Sequence, residues 1–242
     1  MYLGVVKSMI YGLIISAGKQ RRFEDDKPKA LASITDNSTL LDYNIENMKT
    51  VCDQVYVVCS FENEHWFLPY ERIVIDSGKG CGDAVMQALK HIKLLPEDTV
   101  FIQWGDSLQP QEIFTFLASE YRGKFVIPCV FEEHPYVCVV PDGETVNVYF
   151  SKYGEWEFPG YHDLSLFYGN AANLLFYLEV FSSQISVDGC YCHKHGNEMQ
   201  FLDVFNDTCM PAEVVVVKDY KGFAFNTQDE FKKCLNKFEF ST

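Results

Sequence analysis

No apolar run in this 242-residue chain approaches the roughly 20 residues that a membrane-spanning helix needs. The longest, such as Leu13–Ala17 and Val214–Val217, fall far short, so the chain is expected not to enter a membrane. A signal peptide is not expected either, because Lys7 interrupts the apolar opening and the next apolar run leads into a motif rather than a small-residue cleavage site. The expected location is cytoplasmic. Basic residues are scarce, 20 Lys and Arg against 34 Asp and Glu, and the net charge of -14 excludes nucleic acid and anionic lipid as partners over most of the surface. It does not exclude a small anion, since local cations or a helix N-terminus outweigh a distant field that salt screens within about 10 Å. There is no internal repeat, low-complexity tract or Ser/Gly-rich linker, and one continuous domain over 1–242 is expected. Zinc-type CxxC pairs are missing as well. The nine cysteines are odd in number and mostly stand in apolar contexts, which suits buried thiols in a reducing compartment. Cys190-Tyr-Cys192-His193-Lys-His195 is the one metal-like cluster, but its spacing is unlike that of zinc pairs, and it reads as a loop with polarisable side chains sooner than as a zinc site.

What is present is a 48% hydrophobic chain with a clear alternation of elements. Tyr11–Ile15, Gln54–Ser60, Arg72–Asp76 and Thr99–Gln103 are continuous apolar runs that read as buried strands. Between them, Leu40, Leu41, Tyr43, Ile45 and Met48 recur at helical spacing, and a second helix is expected from about Asp83 to Ile92. Buried strands alternating with helices predict a parallel sheet covered on both faces. After about residue 122 the pattern changes to strand candidates at Lys124–Val130, Tyr136–Val140 and Glu144–Phe150. The last two flank Pro141-Asp142-Gly143, a hairpin signal. The chain therefore divides into a half of about 9–122 and a half of about 123–242 within one domain.

The first strand ends in Ser16-Ala17-Gly18, small residues that suit a tight turn against a ligand. Lys19, Arg21, Arg22, Lys27 and Lys29 follow at once, five cations within eleven residues of an acidic chain. Exposed backbone N–H groups and clustered cations make a triphosphate cradle, or else a solvated basic loop.

This segment resembles the signature of the sugar-nucleotide pyrophosphorylases and related nucleotidyltransferases, a Leu-x-x-Gly-x-Gly-x-Arg-like loop followed by Pro-Lys. Gly18 matches the first glycine, Arg22 the arginine and Pro28-Lys29 the Pro-Lys pair, while Gln20 stands where a second glycine is usual. Further matches run in family order. Ser38–Tyr43 is similar to the segment entering the first long helix. Gly80-Cys81-Gly82-Asp83-Ala84 resembles the turn beside the nucleobase, with Asp83 in place of a hydroxyl residue. Trp104-Gly105-Asp106 resembles the Gly-Asp whose carboxylate holds magnesium. In the second half, Val146–Lys152 is similar to a strand ending in a substrate-facing lysine, with Ser-Lys-Tyr for Glu-Lys-Pro. Gly160–Phe167 would place Asp163 near the acceptor, and Gly196–Asp203 resembles a helix start that offers Glu198 to sugar hydroxyls. Phe223–Thr227 resembles the closing segment that carries a second metal ligand. Ala224 occupies the usual Asp position there, leaving Asn226 or Asp219 to supply that oxygen.

The resemblance implies a Rossmann-like three-layer α/β/α sandwich with a mixed, mainly parallel central sheet, of the nucleotide-diphospho-sugar transferase type. It implies Arg22, Lys29 and Asp106 as catalytic residues, and Ser16, Ala17, Gly18, Lys19, Gln20, Gly82 and Asp83 at the nucleotide. Lys152, Asp163 and Glu198 would face the acceptor, and Mg²⁺ would sit on Asp106 and Asn226. The implied reaction joins a nucleoside triphosphate, CTP ahead of UTP, to a sugar 1-phosphate or a small phosphorylated alcohol or amino compound, releasing pyrophosphate for surface polysaccharide synthesis. A metal-dependent glycosyltransferase of the same fold, or a non-catalytic nucleotide-binding relative, is the alternative. The 15% aromatic content leaves room for an exposed apolar homodimer patch.

Overall fold

The computed structural model describes residues 7–18, 27–75 and 78–236. Lys19, Gln20, Arg21 and Arg22 of the basic loop, and Asp76, lie outside the described residues. Four apolar runs form the parallel centre of the main sheet: β1 (Ile10–Ile15), β2 (Gln54–Ser60), β3 (Arg72–Ile75) and β4 (Thr99–Trp104). β1 lies between β2 and β4, and β3 extends the sheet beyond β2, all in parallel register. Leu13, Ile14, Val57, Val58, Val100, Phe101 and Ile102 are fully buried, which is why these strands carry apolar residues at successive positions instead of alternating ones. Each such side chain contributes about 1.5–3 kcal/mol of burial.

The second half completes the same sheet. β5 (Val126–Glu132) is followed by the antiparallel hairpin of β6 (Val137–Asp142) and β7 (Thr145–Phe150), as the Pro-Asp-Gly signal predicts. β8 (Gly160–Asp163) and β9 (Leu166–Asn170) both run antiparallel to β5, and β9 also pairs antiparallel with β4, joining the two halves. β10 (Glu213–Val216) adds to β5 in parallel. The sheet is thus mixed and mainly parallel, as the resemblance implies. The sequence pattern did not show that β8 and β9 form an interrupted strand bent at Leu164–Ser165, where Ser165 has a φ of 59°.

Helices α1 (Leu40–Lys49), α2 (Cys81–His91), α3 (Gln111–Glu120), α4 (Ala171–Ile185), α5 (Asp203–Thr208) and α6 (Gln228–Leu235) pack around the sheet. α1 begins on a capping box: Thr39 accepts from the Asp42 amide, and Asp42 accepts from the Thr39 amide at 2.9 Å. Among the described residues no helix is long and apolar enough to cross a membrane. Cys52, Cys59, Cys129 and Cys138 are buried thiols as expected, and burial pushes Cys59 up to about 11. Cys190, Cys192 and Cys209 are exposed, contrary to the reading of the cysteines as buried.

Candidate functional site

The C-terminal ends of β1 and β4 lie side by side, since Ile15 pairs with Trp104, and two loops leave from that edge. In open α/β sheets this edge is where ligands bind. Ser16 and Ala17 are buried there and Gly18 is exposed. The Gly105 amide donates to the Ile15 carbonyl at 3.0 Å. A Cβ at Gly105 would collide with the Ser16 hydroxyl, so only glycine lets the two loops approach this closely. The Ser16 Oγ is buried without a hydrogen-bond partner, a polar atom held ready at the loop.

Lys29 enters the site through a short 3-10 turn, Lys29–Leu31, placed directly after Pro28, with the Leu31 amide on the Pro28 carbonyl. The lysine side chain is only 9% exposed, and its Nζ lies 3.2 Å from Asp106 Oδ2. Phe225 lies beneath the ammonium, with its ring centroid 6.0 Å away. Asp106 sits in the Gly105–Asp106 turn and caps no helix, since the N-cap of α3 is Pro110. The closing segment comes in alongside. Phe223 pairs with Leu108 and Ala224 with Ser107, and the Phe225 amide donates to the Asp106 carbonyl at 3.1 Å. Asn226 follows the residue opposite Asp106, and its own amide is held by Glu230 of the α6 capping box at 2.7 Å. Asp219, the other proposed oxygen donor, sits exposed in a turn with a φ of 53°. A carboxylate and an amide oxygen at one sheet edge are hard donors that suit Mg²⁺, an ion that keeps several of its waters. On that donor chemistry Asp106 and Asn226 fit the metal.

Behind Asp106 lies a buried polar network that the sequence reading missed. Asn44 of α1 donates to the Ser107 carbonyl at 2.7 Å and Asn47 to the Gln109 carbonyl at 2.9 Å. Gln103 donates to the Ser107 carbonyl at 3.0 Å, and Gln109 to the Leu164 carbonyl at 2.6 Å, while the Tyr220 hydroxyl donates to Gln109 Oε1 at 2.8 Å. The network fixes the strand end from four sides. Its signal in sequence is that Asn44 and Asn47 fall on the same helical face as Leu40, Leu41 and Met48.

Gly80 and Gly82 pack against residue 199: the Gly82 amide donates to the Met199 carbonyl at 2.8 Å, and a Cβ at either glycine would strike the Met199 backbone. This contact brings exposed Glu198 beside the turn, since a Cβ on Gly80 would lie 3.0 Å from the Glu198 Cβ. Asp83 is 4% exposed, and its carboxylate accepts from the Tyr191 hydroxyl at 2.7 Å; it lies behind the turn, inside the protein.

Lys152 and Asp163, expected at the acceptor with Glu198, lie in separate places. Lys152 is exposed, with its ammonium 4.7 Å from the Tyr153 ring centroid, 5.6 Å from Phe150 and 5.9 Å from Tyr136. Asp163 is buried at the β8–β9 bend and accepts from the Ser165 amide at 2.9 Å; the Ser165 carbonyl accepts from the amide of Trp104, two residues before Asp106. Burial pushes the Asp163 carboxyl above its ordinary range, against the pull of His162 and of the Ser165 amide. The folded protein therefore holds this proton more tightly than the unfolded chain, and stability falls as pH rises through that window. Asp163→Asn keeps an acceptor for Ser165 and removes the charge. Its thermal midpoint is expected to equal or exceed wild type at about pH 8, with the difference shrinking towards about pH 4; a lower midpoint at pH 8 would show that the charge itself is needed. A separate cleft of about 720 Å³, lined by Phe125, Asn170, Phe176 and Glu213 among others, opens at the opposite, N-terminal edge of the parallel strands and holds none of these residues.

Against known proteins, residues 12–155 match the family described as the MobA-like NTP transferase domain. A 95-residue stretch is 35% identical to the bifunctional protein GlmU of Ruthia magnifica subsp. Calyptogena magnifica, covering 35% of this chain and 20% of that one. The match thus spans about a fifth of that relative. Among solved structures, a Bacillus anthracis protein described as a glucose-1-phosphate thymidylyltransferase, in complex with sucrose, superposes with a TM-score of 0.75 at 10% identity, covering 96% of this chain and 98% of that one. The inositol-1-phosphate CTP transferase of T. maritima gives a TM-score of 0.68 at 15% identity, with 96% of each chain covered. The fold is that of these nucleotidyltransferases.

Proposed function

The chain belongs to the MobA-like NTP transferase domain family of nucleotidyltransferases, and from that premise we propose that it joins a nucleoside triphosphate to a sugar 1-phosphate or a small phosphorylated alcohol or amino compound, releasing pyrophosphate. CTP is the favoured nucleotide and UTP the next, and the product serves surface polysaccharide synthesis. The observation that carries the reading is the contact of Lys29 with Asp106, two motif residues 77 positions apart that meet at the edge of β1 and β4.

The reaction is attack by an acceptor phosphate oxygen on the α-phosphorus of the triphosphate, with pyrophosphate leaving in line. Little covalent protein chemistry is required, so the work is positioning and charge neutralisation. Mg²⁺ bound at Asp106 and Asn226 would neutralise charge on the phosphates. Lys29, its stem buried and its ammonium fixed, meets the negative charge that develops at the α-phosphate without reorganisation. The Ser16–Gly18 turn is assigned to the triphosphate, with the unpartnered Ser16 Oγ beside it, and Arg22, Lys19 and Gln20 of the same loop belong to this role by their motif positions. Gly82 is assigned to the wall beside the base, with Asp83 buried behind it and bound to Tyr191, and Lys152, Asp163 and Glu198 are assigned to the acceptor. The homodimer belongs to the same reading, with Phe131 and Phe158, 63% and 68% exposed, as surface available to it.

The test is pyrophosphate release with Mg²⁺ across the four ribonucleoside triphosphates, each against sugar 1-phosphates and small phosphorylated alcohols and amino alcohols. Release with CTP and one acceptor class is the expected result. Release with a purine nucleotide would overturn the CTP assignment, and silence in a folded, nucleotide-binding protein would overturn the reaction.

A further inference from the structure

The 190–196 loop and the first turn of α5 build a second cluster that the proposed reaction leaves unused. His193 Nδ1 lies 3.1 Å from Asp203 Oδ2. His195 Nδ1 lies 2.8 Å from Asp203 Oδ1 and 2.9 Å from Oδ2. One atom from each of the three residues falls within 4.8 Å of the others. The side chains are buried, at 8% exposure for His193, 3% for His195 and 0% for Asp203.

The opposite nitrogen of each ring is also occupied. His193 Nε2 lies 2.6 Å from Asp207 Oδ2, and His195 Nε2 lies 2.9 Å from Glu155 Oε1. A neutral imidazole has one N–H. If each ring donates it outward, to Asp207 and to Glu155, both Nδ1 atoms turn lone pairs towards the same Asp203 carboxylate, acceptor against acceptor, unless a proton or a metal ion stands between them. His193 Nδ1 is in addition buried without a hydrogen-bond partner, its approach to Asp203 being short but not aligned for one. An imidazole whose far nitrogen is held by a carboxylate is the usual surrounding of a metal-bound histidine.

We infer that a divalent transition-metal ion of the zinc class binds between His193 Nδ1, His195 Nδ1 and the Asp203 carboxylate, with Asp207 and Glu155 orienting the two rings. Two imidazoles and one carboxylate select such an ion over magnesium, which favours all-oxygen sites. Water completes the coordination. The ion fastens the 190–196 loop to α5, and through His195 it reaches the end of β7. Tyr153 stacks on His195 with centroids 4.4 Å apart and planes 3° apart, and its hydroxyl donates to the His195 carbonyl at 2.9 Å. Tyr153 is also the ring nearest to the Lys152 ammonium.

Tag-free full-length protein, stripped with a chelator, is titrated with Co²⁺ alone and with Zn²⁺ alone, without nucleotide. The expected result is one equivalent of Co²⁺ giving strong visible bands of low-coordinate cobalt, and a higher thermal midpoint with Zn²⁺. His193→Asn should abolish the bands, Asp207→Asn should weaken binding by roughly 10–100-fold, and Cys192→Ser should change nothing. Absence of stoichiometric Co²⁺ binding by the folded wild-type protein would overturn the inference. So would bands that survive His193→Asn or vanish in Cys192→Ser. Should His193→Asn fail to fold, Asp207→Asn decides: unchanged affinity there overturns the site.

Discussion

Lys29→Met is expected to leave a folded protein that turns substrate over roughly 10²–10³-fold more slowly, a loss of about 2.7–4 kcal/mol of transition-state stabilisation, the size seen when one preorganised donor is removed from an active site. Methionine keeps most of the buried volume, so the packing against Phe225 survives. What disappears is the ammonium 3.2 Å from Asp106 Oδ2. Were that pair only structural, the outcome would be different. The Asp106 side chain is 35% exposed, water would take over its solvation, and the variant would lose some stability with its rate intact. Measuring kcat/KM and the thermal midpoint on the same preparation separates the two, and a wild-type rate in Lys29→Met would sink the assignment. Asp106→Ala is expected to show a loss of similar order, because it takes away the carboxylate on which the Mg²⁺ assignment rests.

Gln109→Leu is expected to be the most damaging substitution away from the reacting groups. Gln109 is fully buried and of nearly the same volume as leucine, so a cavity is not the cause. The substitution leaves the Leu164 carbonyl and the Tyr220 hydroxyl facing an apolar side chain. Each stranded polar group costs about 1–3 kcal/mol, so a total of roughly 2–6 kcal/mol follows. For a chain of this size that lowers the thermal midpoint by roughly 4–24 °C. A change of less than a degree would show that water reaches these groups and that the network does not hold the strand end. Turnover should fall as well, since Leu164 adjoins the bend that carries Asp163 and Ser107 adjoins Asp106.

The parts of this architecture written in local pattern were legible. Continuous apolar runs marked β1 to β4, helical spacing marked α1, and Pro141-Asp142-Gly143 marked the β6–β7 turn, because each depends only on neighbours a few residues away. Lys29 and Asp106 were legible as candidates through motif order, although only the fold brings them into contact. The strand β9 was not legible. Only its first two residues, Leu166 and Phe167, fell in the substrate motif and none was read as a strand, and its insertion beside β4 is set by pairing across more than 60 residues. The polar network was hidden for another reason. Asn44, Asn47 and Gln109 look like surface residues until the partner carbonyls, supplied by a distant strand end, are known. The histidine cluster was seen only in part, since His193 and His195 stood out while Glu155 and Asp207 had no local mark. Asp203, read as a helix start, does begin α5, but its carboxylate faces the two histidines.

The antiparallel strand between the two halves also bears on how the chain is made. When a ribosome has released about 122 residues, β3, β2, β1 and β4 can pair in that order, but the outer edge of β4 stays open, with unpaired N–H and C=O groups beside Phe101 and Ile102. That edge closes only when Leu166–Asn170 emerges. At about 5–20 residues per second, the nascent chain carries an apolar, unpaired strand edge for several seconds. This is the period in which a second nascent copy could add to it, and in which a chaperone that shields strand edges would raise the yield of native protein.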